Sequence, residues 1–120
     1  MSIEIGKIIN KILTDNSLAC FPIVAPENSA LPLIIYERSF DAEHTKDGRS
    51  LDTNNIDVYI LSEDYKETIT LSKQIEGLIS AVKGTILDAF VIKSKLVAGA
   101  ELYQDGVYIQ KLTFSILTAF

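Results

Sequence analysis

The chain has 120 residues, 48% of them apolar and 22% charged, with a net charge of −5. That length supports one core, so residues 1–120 read as a single domain that buries roughly two-thirds of its unfolded surface without staples. No apolar run approaches the ~20 residues of a bilayer span, and scattered rather than clustered Lys and Arg argue against direct nucleic-acid binding.

In chain order, residues 3–15 show helical spacing: Ile5, Ile8, Ile9, Ile12 and Leu13 make an apolar stripe, with Glu4, Lys7, Asn10 and Lys11 opposite. Ser2 reads as the N-cap and Asp15-Asn16-Ser17 as the exit. An acid at Glu4 and the absence of a continuous apolar stretch make this segment an amphipathic helix and not a signal peptide, which favours the cytoplasm of the producing cell. Pro22, Pro26 and Pro32 then break regularity, leaving a short extended segment and a loop.

Leu33 to about Glu43 reads as a strand, with Ile34, Tyr36 and Phe40 on one face and Glu37, Ser39 and Asp41 on the other. Asp47-Gly48 is a turn signal. A second strand carries Ile56, Val58 and Ile60 alternating with Asp57 and Tyr59, so the pair forms a long hairpin. The polar stretch from Glu43 to Asn55 reads as its tip, longer than the about 2–5 residues of an ordinary hairpin loop, and extended loops of this kind often carry function.

Ser62 reads as the cap of a longer helix, with Glu63 and Asp64 against the positive end of its dipole. Tyr65, Ile69, Ser72, Ile75, Leu78, Ile79 and Val82 form its stripe, and Gly84 its stop. From Ile86 onward the pattern is β: one run from Val91 to Leu102 with a bulge expected at Gly99, a turn at Gln104-Asp105-Gly106, and a final strand from Val107 to Phe120. In that last strand Tyr108, Leu112, Phe114 and Ile116 alternate with Lys111, Thr113 and Ser115. The expected fold class is therefore α+β, an antiparallel β-sheet with two α-helices packed on one face in the order α-β-β-β-α-β-β.

No motif for chemistry emerges. Cys20, alone in an apolar stretch, reads as a small buried hydrophobe and forms neither an intrachain disulfide nor a zinc cluster. His44 is the one histidine, so a thiol or serine mechanism would have to use it, and nothing local activates Cys20. Asp41, Glu43, Asp52 and Asp57 offer four carboxylates on facing strands, but without the spacing of a calcium loop and with Lys46 and Arg49 among them; a solvated, salt-laced hairpin explains them. Gly48 and Gly106 belong to turns and not to phosphate-cradling loops. No catalytic residue, metal ligand or cofactor-binding residue is assigned.

The whole pattern resembles the small tail-completion (tail terminator, head-to-tail joining) proteins of long-tailed phages and prophages. The likeness is carried by the helix GKIINKILTD, the Leu-Pro and apolar strand of ALPLIIYE, the strand-to-helix step in IDVYILSEDYKETITLSKQIEGLI, and the turn and closing strand of ELYQDGVYIQKLTFSI. It spans roughly residues 5–118. The resemblance implies a non-enzymatic virion protein without cofactor. It would form a ring, typically hexameric, on the head-proximal end of the tail tube, stop tube growth there and offer a surface to the head. Its implied partners are copies of itself, the tail tube protein and a head-completion or neck protein, in the cytoplasm of a bacterial host and then in the virion tail. By position, Lys46, Asp47 and Arg49 at the hairpin tip are the residues expected to reach a neighbouring subunit. Two other readings stay open: a different neck or tail protein of the same fold, or a small-molecule-binding α+β module whose pocket is lined by Tyr36, Tyr59, Tyr65, Tyr103 and Tyr108.

Overall fold

The computed structural model describes residues 3–15, 20–22, 31–44, 50–86 and 89–119. Helix α1 (Ile3–Asp15) is followed by strands β1 (Cys20–Pro22), β2 (Leu33–His44) and β3 (Ser50–Ser62), helix α2 (Tyr65–Ser80), and strands β4 (Gly84–Ile86), β5 (Ala89–Gln104) and β6 (Val107–Ala119). The strands form one sheet in the order β1-β2-β3-β6-β5-β4. At ~3.3 Å per residue, the 16-residue β5 accounts for a long axis of 52 Å against 24 Å in the other two directions.

The fold is α+β, with two differences from the expected order and pairing. A short strand, β4, precedes β5 and pairs with its first residues. The sheet is mixed rather than antiparallel, because β1 runs parallel to β2, with Cys20 opposite Ile34 and Pro22 opposite Tyr36. An antiparallel partner can be reached through a tight turn, whereas a parallel one needs a long return. The Pro-rich connection from Ile23 to Pro32 supplies the length for that return.

The β2–β3 ladder extends to the pair His44–Ser50, so most of the stretch expected as a hairpin tip is strand. Its polar composition hid the pairing. Asn54 is the clearest instance: it is fully buried, and its amide nitrogen donates to the Ile116 carbonyl and to Thr118 Oγ1. A polar side chain whose donors are taken up by the next strand can occupy an inward position that apolar patterning does not flag.

Three local expectations are corrected in the same way. Asp64, not Ser62, caps α2: its backbone is extended and its carboxylate accepts from the Lys66 N–H at 3.0 Å. Ser62 instead ties its hydroxyl to Glu67 and to the Asp64 N–H. The helix ends at Ala81, and Gly84, at φ +85°, turns the chain into β4. Gly99 pairs in register with Leu112, while the ladder slips between Val91 and Lys93 and again between Leu96 and Ala98. Ile92 and Val97 are therefore the extra residues of β5.

One face of the sheet supplies the core. Ile34 and Tyr36 of β2, Ile56, Val58 and Ile60 of β3, Leu112, Phe114 and Ile116 of β6, and Val91 of β5 join Ile9 and Leu13 of α1 and Ile75 and Ile79 of α2 in one buried cluster. Positions one turn apart on each helix, Ile9 and Leu13 and Ile75 and Ile79, join alternate residues of β2, β3 and β6 in this cluster, the expected match of the two periodicities. Tyr65, expected in the buried stripe of α2, is 44% exposed, and Thr68 is buried in its place. No helix among the described residues is long and apolar enough to cross a membrane.

Candidate functional site

The end of the sheet next to the start of α2 collects a group of polar and aromatic side chains outside the core cluster. The β5–β6 hairpin closes through Asp105 and Gly106, at φ +51° and +81°, the two positive values that a tight hairpin turn of this kind requires. This turn sets Tyr103 directly opposite Tyr108 in the ladder, with ring centroids 4.7 Å apart. Tyr65, the first residue of α2, meets Tyr108 edge-on at 5.5 Å. Together with Glu101, Leu102 and Gln110 these rings line an open hollow of about 250 Å³.

The polar groups of the hollow hold one another. Gln110 donates to Glu101 Oε2 at 2.9 Å and to Thr68 Oγ1 at 3.4 Å, and Thr68 in turn donates to the Tyr65 carbonyl at 2.6 Å. The hydrogen bond from the Tyr65 hydroxyl, with a second from Gln110, keeps the Glu101 carboxyl below its usual range. The same bond to Glu101 pushes the Tyr65 phenol up. Both shifts move away from neutrality, whereas a general acid or base works best with a pKa near the operating pH. The group is built to hold an anion in place and to present aromatic surface.

On the outer face of the sheet, opposite the helices, three consecutive cross-strand rows run from the β5–β6 turn inward. Leu33, Leu61, Ile109 and Leu102 form an apolar row next to the turn. The second is Ile35, Tyr59, Lys111 and Ala100; the third is Glu37, Asp57, Thr113 and Ala98. Tyr59 donates to Glu37 Oε1 at 2.9 Å, Thr113 donates to Asp57 Oδ1 at 2.6 Å, and the Lys111 ammonium lies 5.7 Å from the Tyr59 ring centroid. The bond to Glu37 raises the Tyr59 phenol to about 12.

The candidate residues of the sequence distribute as follows. Lys46, Asp47 and Arg49 lie outside the described residues. Of the five tyrosines considered for one pocket, Tyr65, Tyr103 and Tyr108 come together. Tyr36 is instead buried in the core, its hydroxyl 3.4 Å from Asn10 Nδ2, and Tyr59 is on the outer face. Asp57 pairs with Glu37 and Asp52 with Ala42, five residues apart along β3, so the four acids do not converge. Among the described residues no group of three or more His, Cys, Asp or Glu could hold a metal ion. Cys20 is half-buried against the core, its thiol pushed up by burial, with Asn10 Nδ2 at 3.7 Å from its sulfur. Glu101 and Gln110 were missed. Gln110 was findable, since it occupies an even position in the strand whose next inward residues are Leu112, Phe114 and Ile116.

No family model and no curated protein matches the sequence. Among solved structures, the fold is similar to that of a chain in the virion of a native gene transfer agent particle, with a TM-score of 0.74 over 91% of this chain and 84% of the other. Only 7% of the aligned residues are identical, so the likeness is one of fold.

Proposed function

We propose that this chain is a structural subunit of a phage-like virion, and within it the protein that closes the tail tube. Copies form a ring, hexameric by the resemblance of the sequence to tail-completion proteins, on the head-proximal end of the tube. The ring ends tube polymerisation and presents a surface to a head-completion or neck protein. Assembly takes place in the cytoplasm of a bacterial host, and the ring then remains in the virion tail. The observation that carries this reading is the fold match to a virion chain along nearly the whole molecule.

The surface chemistry agrees with a role in assembly. Phe90, Val97, Leu102 and Tyr103 of β5 and Tyr65 of α2 are large apolar side chains left exposed, and aromatic groups of this kind are enriched at protein contacts. A small ligand would need far more enclosure than a hollow whose rings are 44% and 63% exposed at Tyr65 and Tyr103. The segment carrying Lys46, Asp47 and Arg49 is proposed to reach the neighbouring subunit or the tube. Removing residues 45–49 should then weaken ring or tail assembly.

The direct test is polymerisation of the cognate tail tube protein with and without this chain, with tube lengths and ends read by electron microscopy. Shortened tubes with a ring at one end are expected. Tubes that elongate unchecked, with no chain bound to their ends, would remove the terminator role. Binding at a head-to-neck joint instead would assign the same fold to another position in the particle.

A further inference from the structure

We propose that the hollow beside the β5–β6 turn receives an arginine side chain from a basic protein of the same particle, its guanidinium seated among Tyr65, Tyr103 and Tyr108 against the Glu101 carboxylate. The inference rests on the reading that the chain joins other virion proteins, and it names the chemistry of one such contact.

The hollow combines two features that attract this cation. The first is aromatic. Tyr103 and Tyr108 lie with ring centroids 4.7 Å apart and planes at 53°, and Tyr65 meets Tyr108 at 5.5 Å and 66°. Rings tilted in this way stand as walls around a space, and the negative face of each attracts a cation within about 6 Å of its centroid. The second feature is a fixed charge. Gln110 donates to Glu101 Oε2 at 2.9 Å, and the Tyr65 hydroxyl holds the same carboxyl below its usual range, so the anion is present and positioned at neutral pH. These bonds occupy two of the about four acceptor positions of a carboxylate, and the others can take N–H groups from a newcomer.

Size and exposure fit a partner's side chain and not a free ligand. The hollow measures about 250 Å³ and opens to solvent, so the rest of the contact must come from the surface that carries the side chain. Arginine suits it better than lysine. Its planar guanidinium stacks on a ring while its edge gives two parallel N–H bonds to a carboxylate, and it never loses its charge. Tyrosine and arginine are also enriched where proteins meet.

Charge points to a foreign partner. Glu63 and Asp64 immediately precede Tyr65, and Asp105 lies in the adjoining turn; all three are exposed, with Lys66 the cation beside them. The chain as a whole has 16 acidic residues against 11 basic ones, and its only arginines are Arg38 and Arg49. A basic surface of another protein is the complement of this end, rather than a second copy.

The test is an NMR titration of the isotope-labelled chain with the peptide acetyl-Gly-Arg-Gly-amide, and with the same peptide carrying citrulline, an uncharged isostere of arginine. The arginine peptide should shift the amides of Tyr65, Glu101, Tyr103, Tyr108 and Gln110, and the citrulline peptide should bind about tenfold more weakly. Glu101→Gln and Tyr103→Leu should each weaken the arginine peptide roughly two- to fivefold while their spectra stay those of the folded chain. Equal binding of the two peptides, shifts centred away from the hollow, or no saturable shift at all would overturn the proposal. Self-association of the chain that Glu101→Gln abolishes would put a second copy in the hollow and overturn the foreign partner. The capping assay keeps the two readings apart. A chain that caps tail tubes but ignores arginine loses this contact and keeps the terminator role; one that binds arginine but leaves tubes uncapped does the reverse.

Discussion

Tyr59 shows how a single neighbour sets the chemistry of an exposed group. Its phenol donates to Glu37, and this bond, with the negative charge behind it, lifts the phenol from 10.0 to about 12. The folded chain therefore keeps the proton to higher pH than the unfolded one. The contribution of the bond to stability is complete below pH 10.0 and is lost as pH rises through about 12. Replacing Glu37 with Gln removes the charge, so the Tyr59 titration, followed by phenolate absorbance against a Tyr59→Phe control, should fall back toward the ordinary value. An unchanged titration would mean that another group holds the proton.

At the scale of elements, the patterns with strong periodicity were legible and the exceptions have physical causes. The two long helices and the alternation of Ile56, Val58 and Ile60 or Leu112, Phe114 and Ile116 could be read directly, because each buries one stripe or face. The strand from Ser50 to Asn55 was not legible, since the amide nitrogen of inward Asn54 is held by Thr118 and a backbone carbonyl that only the ladder brings near. The parallel placement of β1 was equally hidden, because strand pairing is decided by the path of the connection and not by strand composition. The β5–β6 turn was read correctly at Gln104-Asp105-Gly106, and its geometry gives a test. Gly106 has φ +81° with open space where a Cβ would go, so Gly106→Ala should cost about 1–2 kcal/mol through backbone strain alone. Chemical denaturation would measure it; a neutral substitution would show that the turn relaxes into another type.

For the whole molecule, the candidate site divides into a part that the sequence announced and a part that only folding creates. Tyrosines 65, 103 and 108 were named as possible partners, but the sequence held no reason for Glu101 to join them, since β5 contributes it from a stretch shifted by a bulge. The exposed apolar residues of β5, Phe90, Val97, Leu102 and Tyr103, carry a prediction at this scale. Contacts between exposed charges are screened as salt rises, so self-association through these apolar residues should hold at high salt. Sedimentation across a salt series would show it, and association lost at high salt would point to charged groups as the dominant contact.

The slip at Val97 has a consequence for how this strand tolerates change. Upstream of it, odd-numbered Lys93 and Lys95 stand in the rows of Ser115 and Leu117; downstream, even-numbered Ala98, Ala100 and Leu102 stand in the rows of Thr113, Lys111 and Ile109. One inserted residue has changed the parity of the strand halfway along its length. Val97 is 49% exposed and stands between the pairs Leu96–Phe114 and Ala98–Thr113 with no β6 residue of its own opposite, so neither its side chain nor its presence sets the pairing of the residues on either side. Without that position Leu96 and Ala98 would follow one another opposite Phe114 and Thr113, and Glu101 and Tyr103 would keep their faces and their partners Gln110 and Tyr108. At this point the strand can shorten by one residue and keep every cross-strand pair.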